Sequence, residues 1–376
     1  MSEKIRILHC IETISSGGVE RLRLSFARNL DYNKYELKIA CTQAKGQILK
    51  EFKTLGVEII EVGNFKHPFQ LKNYNILLKH IKSYQPHIIH GAVFEGNSMA
   101  TVGKIFGKVP VAILEETSEP RFRSKKANFL LKCYANFADI FVGISPAVVT
   151  YLKSTLNLSS SKVILLSNGV EVPEAVRSET LSKLKDSLGI NSDDIVIGAV
   201  GRVYDKVKRF SDIIEAIHLL GNPKLKFLLI GNGPDLEYLK SLTHKYSLEG
   251  QVLFLDYQAD PNPYYCLMDI FCLPSLQEGF GLVVVEAMLH NLPVIATKVG
   301  GLKNIVDDGK SGYLVNPQSS IELASKLNYL IQNPDLRDQM GRVGYQRAIE
   351  NFTIDTYTSN LLQLYHEKLT KKATHN

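Results

Sequence analysis

Short apolar runs alternate with longer amphipathic stretches along the whole chain. In the first half the runs are Ile5–Cys10, Leu37–Cys41, Val57–Val62, His87–His90, Val109–Leu114, Ile140–Val142 and Val163–Leu166. In the second half they are Ile195–Val200, Lys226–Ile230, Val252–Leu255, Ile270–Leu273, Val294–Ala296 and Tyr313–Val315. They are brief and dominated by Val, Ile and Leu, as strands buried on both faces of a parallel sheet are. Helical patterns lie between them. After Lys208, the residues Phe210, Ile213, Ile214, Ile217 and Leu220 recur at i, i+3, i+4, i+7 and i+10, one helical stripe. The alternation continues on both sides of the middle and predicts two doubly wound α/β domains. The polar stretch 167–193, with Pro173, predicts the connection between them. Beyond Thr353, Tyr357, Leu361, Leu362, Leu364 and Tyr365 predict a closing helix.

Composition narrows the picture. The chain has 376 residues, which suits two domains, with 45% hydrophobic and 22% charged residues, an ordinary globular balance. The net charge of +6 is too weak to argue for nucleic acid; it suits an anionic substrate or an anionic membrane surface. The five cysteines, Cys10, Cys41, Cys133, Cys266 and Cys272, are odd in number and include no Cys-x-x-Cys, which argues against a disulfide framework or a zinc site. A reducing cytoplasm is the expected compartment. No run approaches the ~18 apolar residues of a membrane span, so the expectation is a soluble protein, at most peripheral to a membrane.

In open α/β sheets, ligands bind beyond the carboxyl ends of the strands. Four post-strand segments therefore matter most. Gly17-Gly18-Val19-Glu20 follows the first strand. Its glycines permit close backbone approach, and a helix beginning there aims N–H groups at an anion; a plain strand-to-helix turn fits equally. Gly201 to Arg209 carries Arg202, Lys206, Lys208 and Arg209, suited to phosphate or to a solvated loop. Gly231-Asn232-Gly233-Pro234 reads first as a tight turn into a helix. Glu278-Gly279-Phe280-Gly281-Leu282-Val283-Val284-Val285-Glu286 speaks most clearly. Gly279 and Gly281 let backbone approach a ligand, and a helix opening near Gly281 offers a diphosphate site. Glu278 and Glu286 suit the hydroxyls of a sugar or ribose. A carboxylate at 286 on so apolar a helix needs a partner, a ligand hydroxyl or a structural cation. Ser167-Asn168-Gly169-Val170 and Val299-Gly300-Gly301-Leu302 serve equally as cleft walls or as ordinary loops.

Taken together and in this order, these segments resemble glycosyltransferase family 4, a retaining family with the GT-B fold. The matching pieces are GGVE at 17–20, SP at 145–146, NGV at 168–170, GRVYDKVKRF at 201–210, IGNGP at 230–234, EGFGLVVVEAM at 278–288 and VGGL at 299–302. The resemblance implies two doubly wound parallel-sheet, Rossmann-like domains facing across a cleft. Residues 1–170 would form the acceptor-binding domain, with a C-terminal helix 355–376 packing back on it; residues 171–354 would bind the nucleotide sugar. It implies a hexosyltransferase using a nucleotide-sugar donor, UDP-linked on family grounds, and a glycan or lipid-linked acceptor, as in bacterial surface polysaccharide or glycolipid synthesis.

The implied roles follow residue by residue. Arg202 and Lys208, with Gly201, would neutralise the departing diphosphate, Gly17 and Gly18 would reach the phosphates, and Glu286 would hold the ribose. Glu278, with the backbone of Gly279, Phe280, Gly281 and Leu282, would face sugar and phosphate. The physics agrees, because fixed cations and a helix N-terminus stabilise charge developing on a diphosphate. The chain contains no Asp-x-Asp, so neither a metal nor another cofactor is expected.

Two departures stand out. One extra residue separates Gly201 from Lys208 relative to the family pattern, which leaves Lys206 as the alternative phosphate contact. Glu116 stands where many members have His; it would bond a sugar hydroxyl or stabilise an oxocarbenium-like centre. His90 would face the acceptor, or else be a satisfied histidine at a strand end. Arg121, Arg123, Lys125 and Lys126, with Phe122 and Phe129, form a basic cluster that would meet an anionic membrane or lipid-linked glycan; a solvated face fits the same residues. Such a protein would work in the cytoplasm, at the inner face of the cell membrane where it contacts lipid. The rival readings are a UDP-sugar 2-epimerase of the same fold and a non-catalytic partner of another transferase.

Overall fold

The computed structural model describes residues 3–15, 17–68, 70–118 and 123–374. The chain divides into two compact units, residues 1–171 with 353–376, and residues 172–352.

The first unit is built on strands β1 (Ile5–Cys10), β2 (Thr13–Ile14), β3 (Tyr35–Cys41), β4 (Gln43–Ala44), β5 (Glu58–Glu61), β6 (Ile88–Ala92), β7 (Val111–Glu116), β8 (Ile140–Gly143) and β9 (Val163–Leu165). Seven of them form one parallel sheet in the order β5-β3-β1-β6-β7-β8-β9, with β2 and β4 as a separate short pair. The second unit carries β10 (Ile195–Val200), β11 (Leu225–Ile230), β12 (Val252–Leu255), β13 (Ile270–Leu273), β14 (Val294–Thr297) and β15 (Gly312–Val315). They form a parallel sheet in the order β12-β11-β10-β13-β14-β15. This is the α/β architecture of two doubly wound parallel sheets that the apolar runs predict.

Strand order fixes where ligands can go. In each sheet the chain winds outward on one side and then crosses to the other. The reversal falls between β1 and β6 in the first unit and between β10 and β13 in the second. The loops leaving these strands bound a crevice at the carboxyl edge of the sheet.

Three local expectations are corrected. Strand β7 runs on to Glu116, in register with Gly143 of β8, so Glu115 and Glu116 belong to the strand and not to the loop after it. The polar connection 167–193 contains a helix, Ser178–Ser187. That helix buries none of its residues, so it carries no apolar stripe to announce it. The closing helix runs Ile354–Ala373.

That closing helix buries Tyr357, Leu361, Leu364 and Tyr365 in the core of the first unit, beside Ile7, Phe26, Ile39 and Ile113. Thr353 caps it by accepting from the Thr356 N–H. The Ile354 N–H donates to the Val170 carbonyl at 2.8 Å, which ties the returning chain to the point where it left. A Cβ on Gly169 would lie 2.5 Å from the Thr353 carbonyl oxygen, so the Asn168-Gly169-Val170 segment serves this junction.

Candidate functional site

In the second unit, the four loops at the carboxyl edge are fastened to one another. The Gly201 N–H donates to Ile230 O and the Val203 N–H to Asn232 O, both at 3.0 Å. A Cβ on Gly231 would lie 1.9 Å from Gly201 O, and one on Gly233 would lie 2.1 Å from Val203 O. The Gly-Asn-Gly motif therefore lets the loop after β11 press against the loop after β10.

Across the switch point, the Leu276 N–H donates to Val207 O at 2.7 Å. The loop after β14 then locks the loop after β13. Gly300 has φ +46°, and a Cβ there would overlap Glu278 O at 1.6 Å. The Gly301 N–H reaches the same oxygen at 3.2 Å. Gly279, Phe280 and Gly281 lie within this fastened loop; Phe280 is buried and packs edge-on against Phe352.

Lys208 and Glu278 meet here, Nζ to Oε2 at 2.5 Å, with both side chains only about one fifth exposed. Beside them Gly281, at φ +115°, precedes the helix Leu282–Leu289, whose first turn offers backbone N–H groups. The one-turn helix Asp205–Lys208 that carries Lys208 is tied down by hydrogen bonds. Buried Asp205 accepts from the Ser211 N–H (2.9 Å) and hydroxyl (2.7 Å), and its own N–H donates to Asp235. Arg209 is committed to Asp212 at 2.5 Å. Arg202 and Lys206 are exposed. Of the four cations in this stretch, Lys208 is thus the one that faces Glu278 and the helix N-terminus.

Glu286 lies on the same helix, half-buried. Buried Tyr265, from the one-turn helix Asn262–Tyr265, donates its hydroxyl to Glu286 Oε2 at 2.7 Å. His290 stacks on the Tyr265 ring at 4.8 Å, with Nδ1 2.7 Å from the Glu286 carbonyl oxygen and Nε2 2.6 Å from Asn262 Oδ1. Burial holds His290 below the usual histidine range. Asp205, Tyr265, Asn262 and His290 escape the sequence reading, because nothing in their spacing connects them to the glycine-rich loop.

In the first unit, Gly17 caps the helix Gly18–Arg28. Glu20 folds back over that end, accepting from the Thr13 and Ser15 hydroxyls at 3.3 Å, and a Cβ on Gly17 would collide with it. A carboxylate therefore already occupies the turn that Gly17 and Gly18 would offer to phosphate.

The two carboxylates ending β7 point to opposite faces, as neighbours on a strand must. Glu116, nearly fully buried, pairs with Arg123 and accepts from the Ser118 N–H (3.3 Å) and hydroxyl (3.2 Å). Arg123 thereby spends its charge inside the fold rather than on a basic face, a correction to its expected place in the surface cluster. Arg121 lies outside the described residues.

His90 is corrected as well: it does not face an acceptor but is fully buried. Its Nδ1 lies 2.7 Å from the Tyr365 hydroxyl and its Nε2 3.3 Å from Glu115 Oε2. The same hydroxyl lies 2.9 Å from His9 Nε2. A hydroxyl donates one proton. Tyr365 therefore donates to one of the two ring nitrogens and accepts from the other. Arg23, also fully buried, donates to Glu115 at 2.9 Å and to the Tyr357 hydroxyl at 2.6 Å. Burial, with Arg23 adding to it, drives both histidines below their ordinary range. Burial opposes ionisation of Glu115, but Arg23 and His90 together outweigh it and hold the carboxyl at about 2. This cluster joins the closing helix to the sheet, and it is structural.

Among the described residues, no three His, Cys, Asp or Glu side chains are grouped to hold a metal ion. No helix among them is long and apolar enough to cross a membrane.

Two family models match the chain. Residues 182–347 match "Glycosyl transferases group 1" and residues 16–173 match "Glycosyltransferase Family 4". N-acetyl-alpha-D-glucosaminyl L-malate synthase of Bacillus anthracis is 28% identical over 190 residues, which are half of this chain and half of that one. The capsular polysaccharide biosynthesis glycosyltransferase CapM of Staphylococcus aureus is 23% identical over 377 residues, 96% of this chain and 97% of its own. Among solved structures, HepE of Anabaena in complex with UDP superposes with a TM-score of 0.85 at 22% identity, covering 96% of this chain and 100% of that one.

Proposed function

The chain belongs to the group 1, family 4 glycosyltransferases of the GT-B type, and from that premise we propose a specific reaction and a role for each site residue. The reaction is transfer of a hexose from a nucleotide-sugar donor, a UDP-sugar, to a glycan or lipid-linked acceptor, with retention of the anomeric configuration and without a metal ion. The observation that carries this reading is the Lys208–Glu278 pair set at the sheet reversal beside the N-terminus of the helix Leu282–Leu289.

Breaking a sugar–diphosphate bond builds negative charge on the leaving diphosphate. Lys208, Arg202 and the N–H groups at Gly281 and Leu282 would take that charge, with Lys208 exchanging its Glu278 partner for the diphosphate. Glu278 would face the donor sugar beside Gly279 and Phe280. Glu286 would accept hydrogen bonds from the ribose. Gly201 would line the phosphates. Glu116 is neutralised by Arg123 inside the first unit and is assigned no part in the reaction. The choice of UDP draws on HepE, which was crystallised with it, and a polysaccharide acceptor draws on CapM.

We further propose work in the cytoplasm, with a peripheral contact to anionic lipid. The outward side of the helix Lys125–Phe137 supports it: Lys125, Lys126, Phe129 and Lys132 are exposed and the helix contains no acidic residue. A panel of UDP-, GDP-, ADP- and dTDP-hexoses incubated in EDTA, with products analysed by NMR, tests the reaction. Transfer from a UDP-hexose with the donor's anomeric configuration kept supports it. An inverted product, or a donor epimerised without any acceptor, overturns it.

A further inference from the structure

The Glu286 carboxylate is held from behind by a set of groups that no part of the proposed chemistry uses. Tyr265 is almost fully buried, and its hydroxyl has one proton to give. Glu286 Oε2 lies at 2.7 Å and Val283 O at 3.4 Å, and the short contact to the carboxylate takes the proton. The ring itself is clamped. His290 stacks on one side at an interplanar angle of 21°, and Phe271 packs at 5.8 Å. His290 is fixed in turn by the Glu286 carbonyl and Asn262, and Asn262 donates to Glu174 O at 2.9 Å. The clamp therefore begins and ends on Glu286, gripping its backbone through His290 and its carboxylate through Tyr265.

We propose that Tyr265 is the positioning residue for Glu286. Its hydroxyl sets the carboxylate in the one orientation that receives the ribose hydroxyls of the donor nucleotide, and it thereby makes the site selective for ribonucleotides. This rests on the reading of Glu286 as the ribose contact. A carboxylate free to rotate among its rotamers spends most of its time unable to accept from two neighbouring hydroxyls; one locked by a charge-assisted hydrogen bond is ready when the nucleotide arrives.

Tyr265→Phe is the appropriate probe, because it keeps the ring, its stack on His290 and its packing while removing only the O–H. Binding of UDP and of 2′-deoxy-UDP to the full-length protein is measured by calorimetry, with thermal melting of each variant as the folding control. The wild type is expected to prefer UDP by about tenfold, the worth of one hydrogen bond to a charged group. Tyr265→Phe is expected to melt within a few degrees of wild type, to bind 2′-deoxy-UDP as before, and to lose most of that preference. In turnover, the donor KM rises while kcat changes little. If the wild type prefers UDP and Tyr265→Phe keeps the whole preference, the positioning role is wrong while Glu286 remains the ribose contact. If the wild type binds both nucleotides but does not distinguish them, the reading of Glu286 itself fails. If Tyr265→Phe loses affinity for both nucleotides equally, the residue is merely structural.

Discussion

Lys208 Nζ lies 2.5 Å from the Glu278 carboxylate, joining the loop after β10 to the loop after β13 across the reversal of the second sheet. The two residues are 70 positions apart in sequence. The ion pair holds a lysine at the mouth of a helix N-terminus, where an arriving diphosphate would compete with Glu278 for it. That geometry favours Lys208 over Lys206, the alternative the sequence leaves open. Lys206 is exposed, whereas Lys208 is sequestered with the carboxylate.

Lys208→Ala is therefore expected to lower kcat by about 10²–10³-fold, the usual cost of removing one donor to developing charge. Lys206→Ala should stay within about threefold of wild type, since Lys208 and not Lys206 pairs with Glu278 beside the helix N-terminus. Steady-state kinetics of the two variants, side by side, checks the assignment.

Gly300 offers a test of the loop lock. Its φ of +46° disfavours any side chain, and a Cβ would overlap the Glu278 carbonyl oxygen. Gly300→Ala should displace the Glu278 loop and reduce transfer by at least about tenfold, since a misplacement of about 1 Å at a reacting centre costs on that scale or more. Gly309→Ala is the control: it has a comparable positive φ with nothing near the added Cβ. It should lose stability modestly and keep its activity.

Arg23 and Glu115 form a fully buried pair 2.9 Å apart. Glu115→Ala would strand the Arg23 charge in the core, a loss of about 3–5 kcal/mol. Urea unfolding of the variant checks this.

The histidines of the same cluster give a pH dependence. His9 and His90 have folded-state pKa values depressed from the ordinary 6.5, chiefly by burial. Below that value the unfolded chain binds protons that the folded chain refuses, so stability falls as pH drops through about 6.5 and downward. Each histidine contributes a slope of up to about 1.4 kcal/mol per pH unit. Glu115, held at about 2, stays charged throughout this window. Melting curves between pH 7.5 and 5 should show the loss, and His90→Gln should flatten it.

The sheets were legible because strands buried on both faces read as unbroken apolar runs, and the glycine-rich loops because close approach demands glycine. Glu115 and Glu116 were misplaced because two charged residues end the apolar run while the ladder continues to Glu116, opposite Gly143 of β8. His90 was read as a strand-end histidine, but it lies in the middle of β6 and is buried, and its partner Tyr365 lies 275 residues away. Tyr265 was invisible for a similar reason. It sits in a one-turn helix with no periodicity, and only the folded chain brings its hydroxyl to Glu286.

The proposed site is a metal-free nucleotide-sugar site built around Lys208 and Glu286. The most direct measurement is calorimetric titration of UDP-hexoses in EDTA against wild type, Lys208→Ala and Glu286→Ala. Saturable binding to wild type without metal is expected, weakened about tenfold or more in each variant, whose melting temperatures stay close to wild type. Absence of binding by any UDP-hexose until a divalent metal is restored, or undiminished binding by both variants, would contradict it.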